Sequence, residues 1–232
     1  MNLFYTTDIQ GELAILHDEE ARHCTQVLRK KIGDEIHFVD GRGTFYQGVL
    51  VEIGKKDCSI QIQEKRVEAP KDYRVHIAIA PTKNMDRLEW FAEKTTEIGV
   101  DEITLLLCEH SERKNIRLDR LEKILIAAMK QSLKASLPKL NDMIAFDQFI
   151  AQITDEQKFI AYLGAALNPH LKNSCQSKTN VLVLIGPEGD FSTQEIQNAL
   201  KIGFMGVSLG NSRLRTETAG LVACHIVNLV NE

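Results

Sequence analysis

Two arginines, two hydroxyls and a carboxylate crowd into Asn211-Ser212-Arg213-Leu214-Arg215-Thr216-Glu217, directly after the apolar Val207-Ser208-Leu209-Gly210. Thr216 or Glu217 can cap a following helix, but capping does not account for two arginines in so short a loop. The layout occurs once more upstream, where Val181-Leu182-Val183-Leu184-Ile185 runs into Gly186-Pro187-Glu188-Gly189-Asp190. Glycine at 186 and 189 lets backbone approach a ligand closely, and Pro187 stiffens the loop. Taken alone, this junction reads equally as a ligand loop or as an ordinary strand-to-helix turn. A Walker A loop is excluded because no Gly-Lys-Ser/Thr follows, and a dinucleotide fingerprint because G-x-G-x-x-G is absent. Glu188 and Asp190 could form a hydrolytic carboxylate pair, yet two residues apart on one loop they have no reason to face a common bond. Ser192 and Glu195 have the spacing of a capping box. Together the two junctions predict a ligand pocket at the carboxyl ends of strands in an open α/β sheet.

Such loops need strands to present them, and from about residue 71 strand and helix patterns alternate. Strands are predicted over Val75–Ala80, Ile103–Leu107 and Phe159–Leu163, the last stopping at Gly164 before a polar loop over 165–178. Helices are predicted over Met85–Ile98, ended by Gly99, over Leu118–Leu133, and over Thr218–Leu229. Alternation of this kind implies a mostly parallel sheet with helices on both faces. Ala69-Pro70-Lys71-Asp72 reads as a linker. Before it, strands over Glu35–Asp40, Thr44–Ile53 and Cys58–Gln63 suggest a small β-barrel. A short helix is expected there too, N-capped by Asp18, with Ala21, Cys24, Val27 and Leu28 apolar and Gly33 just beyond it. The expected division is therefore 1–70 and 71–232.

Composition narrows the class. The chain has 232 residues, 44% hydrophobic and 26% charged, with a net charge of −4, the profile of a soluble globular protein. Residues 1–70 carry 9 Lys+Arg against 12 Asp+Glu and the remainder 19 against 20, so nucleic-acid contact would need local basic patches and shape. Arg22, Arg29, Lys30 and Lys31 form one cluster, and Arg113, Lys114, Arg117 and Arg120 another. Cysteines 24, 58, 108, 175 and 224 are odd in number and never paired as C-x-x-C, which argues for reduced thiols and against structural zinc. No run reaches membrane-spanning length and no signal-peptide pattern opens the chain, so the expectation is a cytoplasmic protein without membrane contact.

The segments "LIGPEGDFS…EI" and "LGNSRLRTETA" resemble the C-terminal signature of the RsmE family in the SPOUT superfamily of RNA methyltransferases. "RHCTQVLRKKIGDEIHFVDGRG" resembles that family's N-terminal PUA-like barrel, and "KNMDRLEWFAEKTTEIGVDEI", "SERK" and "AAMKQSLKASLP" agree in order along the chain. The family differs at three positions, usually having Glu for Lys130, Arg for Lys134 and Gly for Asp190.

The resemblance implies a PUA-like β-barrel followed by a SPOUT domain with a trefoil knot, acting as a homodimer. It implies methylation of uridine N3 in 16S ribosomal RNA of the small subunit, with S-adenosylmethionine as cofactor. The cofactor would lie among three loops carrying Leu163; Leu184, Ile185, Gly186, Pro187, Glu188 and Gly189; and Leu209, Gly210, Leu214 and Thr216, with Ala219 beside them. Arg215 would steady the charge developing on the uracil and Glu217 act as base or orienter, with Glu188 an alternative base. The target base would flip from its stack. His23, Arg29, Lys30 and Arg42 would dock RNA, and His110 and Ser111 could line the RNA face. Two alternatives stay open: a ribose 2′-O-methyltransferase of the same class, and a non-catalytic RNA-binding ribosome-assembly factor.

Overall fold

The structure is a computed structural model that describes residues 2–163 and 168–232. It divides into two compact units, one of residues 1–70 with 126–137, the other of 71–125 with 138–232. Residues 126–137, read from sequence as part of the second domain, cluster with the first.

The first unit contains β1 (Leu3–Tyr5), β2 (Ile9–Gln10), β3 (Leu13–His17), α1 (Asp18–Arg22), a π-helix (His23–Val27), β4 (Glu35–Val39), β5 (Thr44–Ile53) and β6 (Asp57–Val67). The strands form one sheet in the order β1-β4-β5-β6-β3-β2, antiparallel except for the β1–β4 pair. The sheet curls on itself, because Thr6 after β1 donates its hydroxyl to the Ile15 carbonyl of β3. One face of these strands packs Phe4, Leu16, Ile36, Phe38, Leu50 and Ile60, all at most 1% exposed. Each contributes roughly 2 kcal/mol of burial. His17, not Asp18, is the N-cap, since a cap needs extended backbone and Asp18 has φ +40. Beyond Arg22 the helix widens to i→i+5 bonding, as in Leu28 N–H to His23 O at 3.0 Å. This shifts Val27 outward to 64% exposure, and left-handed Arg29 ends the segment well before Gly33.

The second unit contains β7 (Val75–Ile79), α2 (Met85–Ile98), β8 (Glu102–Leu107), β9 (Lys139–Ala145), α4 (Phe146–Ile150), β10 (Gln157–Ala161), α5 (Leu171–Ser174), β11 (Val181–Ile185), α6 (Thr193–Lys201), β12 (Met205–Val207) and α7 (Thr216–Asn231); α3 (Leu118–Gln131) ends in the first unit. Its six strands pair in parallel in the order β12-β10-β11-β7-β8-β9. β7 and β11 are buried at every position, as a sheet covered on both faces requires. Ala78, Ala80, Leu182 and Leu184 pack with Phe149 of α4 and Ala199 of α6. On the other face α7 lies so close to β7 and α2 that a Cβ at Gly220 would sit 2.6 Å from Phe91 and 3.0 Å from Ile79. Helix α2 runs between Asn84, whose side chain caps Asp86 N–H, and Gly99 at φ +125. The polar loop expected over 165–178 contains α5, and the strand expected to reach Leu163 ends at Ala161. Gly164, expected to stop that strand, lies outside the described residues.

Candidate active site

A cavity of about 420 Å³ opens at the carboxyl ends of β10, β11 and β12, a size suited to a nucleoside-like ligand. Its apolar floor is made by the strand ends Ala161, Ile185 and Val207 and by Ala219 on α7. The walls are the three loops that follow those strands.

The loop after β11 is tied at both sides. Glu188 accepts the Lys83 N–H at 2.9 Å, and Asp190 accepts those of Leu163 at 2.7 Å and Phe191 at 2.8 Å. The Asp190 N–H closes a turn onto Pro187 O at 2.9 Å. Asp190 has φ +65, a conformation glycine takes freely; the carboxylate's two backbone ties offset the strain of placing aspartate there. A Cβ at Gly186 would come within 3.1 Å of both the Phe191 ring and its N–H nitrogen. A side chain at 186 would therefore press on Phe191. Gly189 sits against His110, whose Nδ1 lies 3.0 Å from Asp190 O. The two carboxylates hold different backbone groups, so no hydrolytic pair forms.

The loop after β12 is differently made. Gly210 has φ +122 with open space where a Cβ would be. Ser208 accepts the Gly210 N–H at 3.1 Å. Arg215 is the N-cap of α7 but makes no side-chain cap. Among the described residues, no hydrogen bond or ion pair restrains the guanidinium of Arg213 or Arg215, and both line the cavity. Free cations at a cavity wall are poised to meet charge on a ligand.

Of the positions anticipated from sequence, Leu163, Ile185, Gly186, Pro187, Glu188, Leu209, Gly210, Leu214, Arg215, Thr216 and Ala219 all border this space. Leu184 does not, because its side chain turns into the core beside Leu182. Gly189 stands behind the loop, and Glu217 is 6% exposed on the far side of Arg87. Arg87 Nε lies 3.8 Å from Glu217 Oε1, and Glu217 Oε2 has no hydrogen-bond partner among the described residues. Arg87, which lines the cavity, went unnoticed in the sequence. A signal existed: it occupies the third position of α2, where a cation opposes the helix dipole.

The residues anticipated to dock RNA are spread over the first unit. His23 begins the π-helix with its ring 5.7 Å from Phe4, Arg29 is left-handed, Lys30 donates to Glu35 O at 3.1 Å, and Arg42 is exposed in the β4–β5 turn. Ser111 is 5% exposed and accepts the Cys108 N–H, so it cannot line an RNA face. Arg113, Arg117 and Arg120 are engaged by Lys83 O, Asp119 and Glu89. Lys130, where the RsmE pattern has Glu, pairs with Glu20 within the first unit.

Comparison with known proteins bears on this geometry. The family described as the RNA methyltransferase domain matches residues 69–228, and the RNA methyltransferase PUA domain matches 16–63. Ribosomal RNA small subunit methyltransferase E of Buchnera aphidicola is 31% identical, covering 92% of this chain and 86% of its own. A probable rRNA-methyltransferase from Porphyromonas gingivalis superposes with a TM-score of 0.93 at 44% identity, over 100% of this chain and 98% of that one. Ribosomal RNA small subunit methyltransferase E from Neisseria gonorrhoeae, solved bound to S-adenosyl methionine, gives a TM-score of 0.86 at 26% identity, over 100% and 98% of the two chains.

Proposed function

The chain belongs to the RNA methyltransferase family, and from that premise we propose that it methylates N3 of a uridine in 16S ribosomal RNA of the small subunit with S-adenosylmethionine. The observation that carries the reading is the cavity at the ends of β10, β11 and β12, apolar at its floor and bordered by the unrestrained Arg215. The fit is favourable: the open space beside Gly210 and the strand-end backbone leave room for an adenosine against Ile185, Leu209, Leu214 and Ala219. When bound, S-adenosylmethionine supplies an electrophilic methyl group on a sulfonium.

The protein's own residues position the acceptor and handle its charge. Losing the N3 proton leaves negative charge on the uracil carbonyl oxygens, and the Arg215 guanidinium is placed to stabilise it. Glu217 acts as orienter, holding Arg87 at the cavity wall, because its burial removes it from contact with a base. Glu188 lines the cavity, but one oxygen is committed to Lys83 N–H, which leaves the other as the proton acceptor. The first unit, with His23, Arg29, Lys30 and Arg42, is the RNA-docking part, and residues 71–232 carry the methyltransferase domain and its trefoil knot. A cytoplasmic homodimer completes the reading. No helix of the described residues is long and apolar enough to cross a membrane.

The test is methyl transfer from labelled S-adenosylmethionine to unmodified small ribosomal subunits, with the product nucleoside identified by mass spectrometry. The expected product is 3-methyluridine. A 2′-O-methylated nucleoside, or cofactor binding without transfer, overturns it. Sedimentation of the purified protein tests the dimer.

A further inference from the structure

A cavity of about 360 Å³ on the sheet of the first unit plays no part in the chemistry above. Strand register builds its floor. Leu3, His37, Gln47 and Glu64 lie side by side across β1, β4, β5 and β6, and one step along, Val39, Phe45 and Arg66 form the next row. Phe4, Ile36 and Phe38 alternate with these residues into the core, so both rows belong to the opposite face.

Three features distinguish this face from ordinary surface. Arg66 lays its guanidinium over the Phe45 ring, 4.6 Å from the centroid, and no hydrogen bond or ion pair among the described residues engages it. The ring seats the guanidinium on one side, and Arg66, exposed on the other, is open to a further π-system. At the rim, Leu133 is 49% exposed and held at φ +55. A glycine would take that conformation without strain; leucine there presents an apolar side chain to the cavity. At the polar end, Glu35 accepts from Gln47 Nε2 at 2.8 Å and contacts His37 Nε2 at 2.7 Å. Both side chains are therefore fixed, and the Gln47 carbonyl remains an acceptor.

We propose that this cavity takes one unpaired base of the RNA substrate, stacked on Arg66 and backed by Phe45. Bases of a duplex cannot reach such a surface, whereas splayed single-stranded bases stack on aromatic and guanidinium planes. An enzyme that must unstack its target base gains by gripping a neighbour. The inference takes its partner from the RNA-methyltransferase reading.

The test uses the full chain and two substrates. Affinity for a labelled, unstructured oligouridylate and for a matching RNA duplex is measured by fluorescence anisotropy; KM and kcat are measured with unmodified small ribosomal subunits. Arg66→Gln and Arg66→Lys are both expected to weaken oligouridylate binding about tenfold, within the range for one lost base stack. Duplex binding should hold for Arg66→Lys, and the KM for subunits should rise with kcat and cofactor affinity kept. Phe45→Leu, which keeps the apolar packing and removes the ring, should behave likewise at an unchanged melting temperature. An Arg66→Lys variant that binds oligouridylate like the parent reduces the site to charge and overturns the proposal, as does a parent protein that fails to bind oligouridylate. If the parent methylates no subunits while the Arg66 variants still lose oligouridylate binding, the catalytic reading falls and the cavity stands.

Discussion

The two ends of the parallel sheet are built on opposite principles. At the amino ends of β7, β8 and β9 the charges are closed into a network: Arg74 pairs with Glu102 and Asp155, Lys139 with Glu102 at 3.1 Å, and Asn141 donates to Glu102 and Thr104. His76 joins it through Thr104 at 2.8 Å. At the carboxyl ends the carboxylates are spent on tying loops, and Arg213 and Arg215 are left with no partner among the described residues. One end pairs its charges internally, with the buried His76 Nδ1 alone left without a hydrogen bond among the described residues of that network, and holds the fold together. The other leaves cations unsatisfied, which is tolerable only because they are solvated until a ligand arrives.

Substitutions at the two ends should separate activity from stability. Arg215→Ala is expected to slow methyl transfer about 10²- to 10³-fold, with the melting temperature nearly unchanged because its side chain makes no cap. Single-turnover rates and a thermal melt check both halves. The mirror experiment is Arg74→Ala, which strands Asp155, leaves Glu102 with Lys139 and Asn141, and should cost about 3 kcal/mol in urea unfolding, with cofactor affinity held. If Arg74→Ala instead abolishes cofactor binding while the fold keeps its stability, the contrast between the ends is wrong.

Acid should attack the closed end. Burial pushes the His76 imidazole down to about 4, against the smaller opposing pull of Glu102 and Asp155. The unfolded chain therefore takes up this proton first, and stability falls as pH drops from about 6.5 to about 4, by roughly 3 kcal/mol in all. His76→Gln should flatten that window in urea titrations across pH. Burial also raises the Glu102 carboxyl, but Asn141, His76, Lys139 and Arg74 outweigh it and hold the group below its ordinary value. Its contribution is lost at lower pH, once it too protonates. The smallest effects sharpen the difference between the site's own loops. Gly186→Ala must displace Phe191 and should cost about 2 kcal/mol, whereas Gly210→Ala meets only backbone strain, about 1 kcal/mol. Paired thermal melts would rank them.

The bounds of helix α2 were legible from sequence, with Gly99 marking its end, while the Asn84 cap at its start was not read; the Ser192–Glu195 capping box is present as the spacing implied. Two of the loops that border the cavity were legible for the same reason, since glycines and strand ends mark them, whereas the one at Leu163 was drawn from the family resemblance. What escaped depends on partners distant in sequence. β1 and β2 are too short to show a pattern and exist through pairing. The inward turn of Leu184 is invisible in a strand apolar at every position. The burial of Glu217 and the reach of Arg87 follow from how α2 and α7 pack, not from spacing. The family's preference for glycine at 190 acquires a reason only with φ +65 in view.

The end of α3 carries a consequence for how the chain is made. Met129 and Ala135 pack with Leu3 and Val39, and Gly41 and Gly43 bond to Leu137 and Ala135, so the first unit is incomplete until that stretch has been translated. At ~5–20 residues per second, the amino-terminal strands wait several seconds with an apolar face uncovered. They form a nascent intermediate that a chaperone could hold, and an excised segment ending at Pro70 would keep that exposure permanently.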